Sequence, residues 1–144
     1  MQDKLTRSDF SVFYTMETRW SDNDIYGHVN NVEYYGYFDS AVNRYLIEQG
    51  QLQIHIANVV GFVVESKCQY FSPIAYPETI DIGLRVSRLS QRSVTYELGI
   101  FQQDSEIPSA QGYFVHVFVN RNTNQAVAIP DIIRQALEAI KSNR

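Results

Sequence analysis

The sequence predicts an α+β fold: an antiparallel sheet of five strands wrapped around one long helix, with a short helix near the C-terminus. Three observations carry this expectation. Five runs alternate apolar and polar residues with a period of two, or are apolar on both faces, as strands do. A single long run repeats instead at helical spacing, between the first and second strands. Consecutive strands are joined by short polar stretches, Ser90-Gln91-Arg92 and Asp104-Ser105-Glu106, which suits antiparallel pairing better than a doubly wound parallel sheet.

The first strand is read over Phe10–Trp20, where Phe10, Val12, Tyr14, Met16, Thr18 and Trp20 alternate with Ser11, Thr15, Glu17 and Arg19. The helix follows. Tyr35, Phe38, Val42, Tyr45 and Leu46 recur on one face, with Glu33, Ser40, Asn43, Arg44 and Glu48 on the other. Asn30 is suited to its N-cap, Glu33 stands three residues on as in a capping box, and Gly50 offers a stop. Gly36 inside this helix costs up to about 1 kcal/mol relative to Ala, so close packing against a sheet or a partner helix is expected there.

Four strands come next. Phe62, Val64, Ser66, Cys68 and Tyr70 form one face of the second, and Ile80, Ile82, Leu84 and Val86 of the third. Val94, Tyr96, Leu98 and Ile100 form one face of the fourth. Tyr113–Val119 is apolar on both faces, as in a central strand. Pro130 suits a helical first turn, and Ile133, Ala136, Leu137 and Ile140 make a stripe behind it. No repeat, low-complexity tract or linker breaks the order, so residues 1–144 are read as a single domain.

Composition bounds the function. A chain of 144 residues with 44% hydrophobic residues supports one ordinary core, and the ten Tyr and eight Phe suit strands or an apolar ligand tunnel. A net charge of −4 argues against a general nucleic-acid binder, while leaving room for a local basic patch beside one phosphorylated ligand. No run approaches a membrane span. Cys68 is the sole cysteine, and Met1–Arg7 has no apolar segment behind its charges; together these point to a reducing cytoplasm.

The chemistry is concentrated between the first strand and the long helix, in Trp20-Ser21-Asp22-Asn23-Asp24-Ile25-Tyr26-Gly27-His28-Val29-Asn30-Asn31. If Asn30 caps the helix, the Asn31 N–H lacks an intrahelical acceptor and has the positive end of the helix dipole behind it. Such a donor can polarise a carbonyl or hold an oxyanion. A carboxylate a few residues upstream can attack that carbonyl or activate a water that does. The two together are the parts of an acyl-transfer site.

The segment from Arg19 to Tyr34, with its Asp-x-Asp-x-x-Gly-x-Val core before a helix carrying a Tyr, resembles the signature of the 4-hydroxybenzoyl-CoA thioesterase-like hotdog family. The order of elements over nearly the whole chain is similar too. The resemblance implies an acyl-CoA thioesterase in which Asp24 is the nucleophile or general base and the Asn31 amide polarises the thioester carbonyl. Direct attack would give an anhydride; activation of water would be general-base catalysis. Some relatives carry a His at the position of Asn31; here the His is at 28. The Gly-His-Val-Asn-Asn version is similar to the branch that handles fatty acyl-CoA. Also implied are substrate contacts at Gly27, His28 and Tyr34, and at Arg88, Arg92 and Ser93 beside the CoA phosphates. No cofactor or metal is implied. A homodimer joined edge to edge, or a homotetramer built from it, is expected, with active sites at the subunit interface.

Plainer readings stand beside these. Asp and Asn favour turns, which suits Asp22 as a residue that hydrogen-bonds the loop backbone. His116, between two valines, reads as a core histidine, and His55 as part of a connecting segment. Counted from Asp22, the loop nearly satisfies an EF-hand, with Gly27 at position 6 and Glu33 at position 12. Tyr26 is a poor ligand at position 5, however, and an EF-hand needs a helix before the loop. Hotdog dehydratases pair a His with Asp or Glu on the central helix; this helix offers Asp39 and no His. An acyl-CoA or acyl-carrier-binding protein without catalysis is the alternative, since binding needs only the tunnel and phosphate contacts.

Overall fold

The computed structural model describes residues 4–142. Its elements follow the predicted order: strand β1 (Val12–Glu17), helix α1 (Asn31–Glu48), strands β2 (Val59–Tyr70), β3 (Thr79–Leu89), β4 (Ser93–Gln102) and β5 (Ala110–Asn120), then helix α2 (Asp131–Ala139). Short 3-10 turns lie at Arg7–Asp9 and Trp20–Asp22. The strands form one sheet in the order β1-β3-β4-β5-β2, so β2 and β1 are its edges. β1 runs antiparallel to β3, from Val12 opposite Leu84 to Glu17 opposite Thr79. This is the expected hotdog set of elements. No helix among the described residues is long and apolar enough to cross a membrane.

The period-two faces read from β3 and β4 are core faces. Ile80, Ile82, Leu84 and Val86 on β3, and Val94, Tyr96, Leu98 and Ile100 on β4, are all essentially inaccessible. On α1, Phe38, Val42, Tyr45 and Leu46 are buried as the helical spacing requires, and Tyr34, Tyr37 and Ala41 join them.

Two compact units share these elements. The first takes the chain up to Ala41 together with Cys68–Leu84 and Leu98–Gly112. Its aromatic cluster joins Phe10, Phe13 and Phe101 edge to face, with ring centroids 5.9 to 6.2 Å apart. Gly83 lies under Phe10, where a Cβ would come within 2.7 Å of the ring, so only glycine leaves room for it. Arg7 fastens the N-terminal segment: it pairs with Asp81 at 2.9 Å and lies over the Phe13 and Phe101 rings.

The second unit takes Val42–Lys67, Arg85–Glu97 and the chain from Tyr113 onward. Ile133, Leu137 and Ile140 bury the predicted stripe of α2. Arg85 and Glu97 pair at 2.7 Å between β3 and β4. His116 is a core histidine, as expected: its Nδ1 lies 3.2 Å from the Tyr96 hydroxyl and its ring stands edge-on to Tyr96 and Phe118. Gly61 fits beside it because a Cβ there would meet Nδ1 at 2.6 Å. His55 is exposed on the connecting segment.

Four local expectations are corrected. β1 ends at Glu17 rather than Trp20: the Thr18 N–H and hydroxyl both go to the Glu78 carbonyl, and the chain then leaves the sheet. Trp20 opens a 3-10 turn and is 74% exposed. The capping box does not form, because the Asn30 N–H donates to the Asp22 carbonyl instead and Glu33 lies 4.0 Å from Arg19. Gly36 is exposed, and among the described residues outside its own helix backbone nothing lies within 4 Å of an added Cβ, so packing against this chain's sheet does not explain it, which leaves the partner helix of the two expected neighbours. The left-handed residue after α1 is Gln51, not Gly50; Gly50 is needed for proximity, since a Cβ there would meet the Leu46 carbonyl at 2.7 Å. On β2, Phe62, Val63 and Val64 are all exposed.

Burial holds the His116 imidazole neutral, pushing its pKa down to about 4. In the unfolded chain it protonates near 6.5, so below that pH the unfolded state binds the extra proton. His116 therefore lowers stability as pH falls from about 6.5 through 4, by about 3 kcal/mol at roughly 1.4 kcal/mol per pKa unit. Urea denaturation at pH 7 and pH 4 should show a smaller acid loss for His116→Gln than for the native chain; equal losses would contradict this.

Candidate active site

The loop between β1 and α1 is held at both ends. At its start, the Asp22 N–H donates to the Arg19 carbonyl at 2.9 Å, closing the 3-10 turn. The Asp22 carboxylate is 1% exposed. It accepts from the Arg19 backbone N–H at 2.9 Å, from the Arg19 guanidinium at 3.0 and 3.2 Å, and from the Tyr37 hydroxyl at 2.7 Å. Burial alone would raise its pKa. The hydrogen bonds from Tyr37 and Arg19, with the Arg19 charge, outweigh that and hold it below the usual carboxylate range. Tyr37 is pushed up in turn, by its own burial and then by the Asp22 bond. The expectation that Asp22 hydrogen-bonds the loop backbone is met.

Beyond Asp22 the chain makes a small hairpin. Asn23 and Val29 form an antiparallel bridge, and the Asp24 N–H donates to the His28 carbonyl at 2.9 Å. The Gly27 N–H closes the turn onto the Asp24 carbonyl at 3.1 Å, and Gly27 has φ +85°, which favours glycine. Neighbouring chain stitches the hairpin down: the Val29 N–H donates to the Ile74 carbonyl at 2.8 Å, and the Tyr76 N–H to Asn23 Oδ1 at 3.0 Å. Asp24 Oδ1 accepts the Tyr26 N–H at 2.9 Å, a turn made by the Asp side chain. Its other oxygen has no hydrogen-bond partner among the described residues.

The helix start matches its prediction. Asn30 Oδ1 caps α1 by accepting the Val32 N–H at 3.0 Å, and the Asn30 carbonyl accepts the Glu33 N–H at 2.9 Å. The intervening Asn31 N–H has no acceptor among the described residues and sits at the positive end of the 18-residue α1.

Asp24, His28, Asn31 and Tyr34 line one cleft of about 430 Å³, closed on its other side by Tyr70, Phe71, Ser72 and Pro73. Asp24 also lines a neighbouring cleft with Trp20, Ile25, Tyr26 and Gly27. Tyr34 is buried, which pushes its pKa up, and its ring stands edge-on to Tyr70 with centroids 4.9 Å apart. The Tyr70 hydroxyl donates to the Asn31 carbonyl at 2.9 Å. Burial pushes the nearby Cys68 thiol up to about 11, so at neutral pH it is protonated and a poor nucleophile. Among the described residues no cluster of His, Cys, Asp and Glu suits a metal ion. The loop follows a strand, so it lacks the entering helix of an EF-hand.

Arg88, Arg92 and Ser93 are not part of this cleft. They lie in the second unit, at the β3–β4 hairpin, where Arg88 and Arg92 are exposed and the Ser93 N–H donates to Ser90 Oγ at 3.2 Å. Sequence reasoning missed Tyr70–Pro73 as lining residues. The available signal was the Tyr-Phe-Ser-Pro run, where proline ends a strand. It also missed Tyr37 as the partner of Asp22, although Tyr34 and Tyr37 share one helix face. A separate apolar groove of about 590 Å³ is lined by residues 50–53, 56–59 and 130–133, with Asp131 the sole ionisable residue among these.

Residues 18–137 match the family model of the thioesterase-like superfamily. The chain is similar to the PA5185 protein of Pseudomonas aeruginosa strain PAO1, at 51% identity and a TM-score of 0.96 over 98% of this chain and 99% of that one. It shares its fold with BH1999 gentisyl-coenzyme A thioesterase (24% identity, TM-score 0.78, 88% and 99% of the two chains). The same holds for Slr0204, a 1,4-dihydroxy-2-naphthoyl-CoA thioesterase from Synechocystis (17% identity, TM-score 0.79, 87% and 93%). The chain belongs to the thioesterase-like superfamily and is an enzyme of thioester hydrolysis.

Proposed function

We propose that this chain hydrolyses an acyl-CoA thioester to the free acid and CoA, with Asp24 as the nucleophile or general base and the Asn31 N–H as the carbonyl-polarising donor. The observation that carries the reading is the shared cleft: it is lined by Asp24, one of whose carboxylate oxygens has no partner among the described residues, and by Asn31, whose helix-terminal N–H has no acceptor among them. As the carbonyl is attacked, negative charge grows on its oxygen, and a fixed N–H backed by the helix dipole costs no reorganisation to meet it. One such donor contributes about 10²–10³-fold. Asp24 forms the new bond itself or takes the proton of the attacking water; the CoA thiolate leaves in either case.

Tyr34 and His28 border the acyl group, Gly27 shapes the turn that presents Asp24, and no cofactor takes part. Arg88, Arg92 and the chain at Ser93 are assigned to the CoA phosphates. They line no part of the Asp24 cleft, so this assignment fits a site completed across two subunits. A homodimer, alone or paired into a tetramer, is supported by β2, a 12-residue edge strand with exposed Phe62, Val63 and Val64, which a monomer would leave open to aggregation. We take residues 1–144 as a single hotdog domain acting in the cytoplasm.

Thiol release from a panel of acyl-CoAs tests the assignment. Asp24→Ala and Asp24→Asn should each lose at least about 100-fold in turnover, the low end of a general-base contribution. Near-native turnover in both would remove Asp24 from the site. Native protein that binds acyl-CoA without releasing thiol would favour the acyl-binding alternative. Light scattering should give a dimer or tetramer, and a clean monomer would contradict assembly through β2.

A further inference from the structure

The unit that bears the cleft also holds a buried carboxylate the proposed chemistry never touches. Asp22 is attached three ways. Its side chain receives the Tyr37 hydroxyl at 2.7 Å, and Tyr37 lies on α1 six residues beyond Asn31. Its carbonyl receives the Asn30 N–H at 2.8 Å, immediately before the Asn31 donor. Its chain reaches Asp24 in two residues. A displacement of Asp22 therefore moves the carboxylate and the helix start that the reaction needs to keep in register.

We propose that Asp22, clamped by Arg19 and Tyr37, is the positioning residue that sets Asp24 relative to the Asn31 N–H. This rests on the reading of Asp24 and Asn31 given above. Stability alone accounts poorly for the arrangement. A carboxylate taken out of water loses its hydration, and apolar residues of similar volume often serve a core as well as a buried ion pair. Arg19 is itself largely exposed, at 72%, so the pair is buried on one side only. What the carboxylate supplies that an apolar side chain cannot is direction: donors from Arg19 and from α1 converge on two oxygens and permit one placement of the loop. Reaction rates respond steeply to such placement, since an error of about 1 Å can cost about 10²-fold.

The test compares the native chain with Tyr37→Phe, Asp22→Asn, Asp24→Ala and the double variant Asp22→Asn/Asp24→Ala, each with its melting temperature. Tyr37→Phe removes one hydrogen bond and keeps the charge, so it carries the test if Asp22→Asn does not fold. We expect Tyr37→Phe and Asp22→Asn to lower kcat about 10-fold or more, with KM within about 3-fold. Asp22→Asn should cause no further loss once Asp24 is Ala. Native kcat in Tyr37→Phe and Asp22→Asn, alongside an inactive Asp24→Ala, would overturn the positioning role alone. So would an equal proportional loss from Asp22→Asn in both backgrounds, which marks a merely structural residue. An active Asp24→Ala would overturn the site reading and the positioning role with it.

Discussion

A carboxylate removed from water has to recover its lost hydrogen bonds, and the way Asp22 recovers them determines how the first unit is built. Its donors come from Arg19, the residue just before the 3-10 turn, and from Tyr37 in the second turn of α1. Meeting them requires the chain to leave β1 at Glu17, turn tightly through Trp20–Asp22, and come back along its own path to start α1 at Asn31. The Asp22 peptide carbonyl then takes the Asn30 N–H that a capping box would have used. Asn30 keeps its side chain for the Val32 N–H, and the Asn31 N–H between them is left without an acceptor among the described residues. The candidate oxyanion donor and the buried Asp22 are thus two consequences of one local arrangement.

Much of this was legible in the sequence because it depends on periodicity and on local backbone chemistry. The alternation of Ile80–Val86 and Val94–Ile100 identified core faces directly, since strands this deep in a sheet bury whatever side is apolar. Asn30 as the cap followed from the same logic, as did His116 in the core. The failures share a different cause. Trp20 continued a period-two pattern that the Thr18 bonds to Glu78 had already ended, and pairing with a distant strand leaves no mark on local spacing. Gly50 was read as a helix stop, whereas the Leu46 carbonyl and the Ile133 side chain, the latter far along the chain, are what leave no room for a Cβ there.

The site divides in the same way. Asp24, Gly27 and Asn31 are close in sequence, so a motif could place them. Tyr70–Pro73 reach the cleft from the far end of β2, and Tyr37 reaches Asp22 from α1; the local sequence marks a strand end and a helix face there but not what each one meets. Asp24 is a turn residue and, in the proposed function, also the catalyst. One oxygen holds the loop through the Tyr26 N–H, and the other has no partner among the described residues. A turn assignment and a chemical one are therefore compatible at this position. Burial keeps the Cys68 thiol, two residues before Tyr70 on β2, protonated at neutral pH.

The account depends most on the Asn31 N–H meeting the same carbonyl that Asp24 addresses. The most direct measurement is the amide resonance of Asn31 in 15N-labelled protein during titration with an acyl-CoA analogue whose thioester sulfur is replaced by methylene. The ketone oxygen of that analogue accepts a hydrogen bond and cannot be hydrolysed. The account predicts a downfield shift of the Asn31 amide proton that saturates with binding. A saturating titration that moves Tyr34 and Tyr70 resonances while leaving the Asn31 amide in place would contradict it.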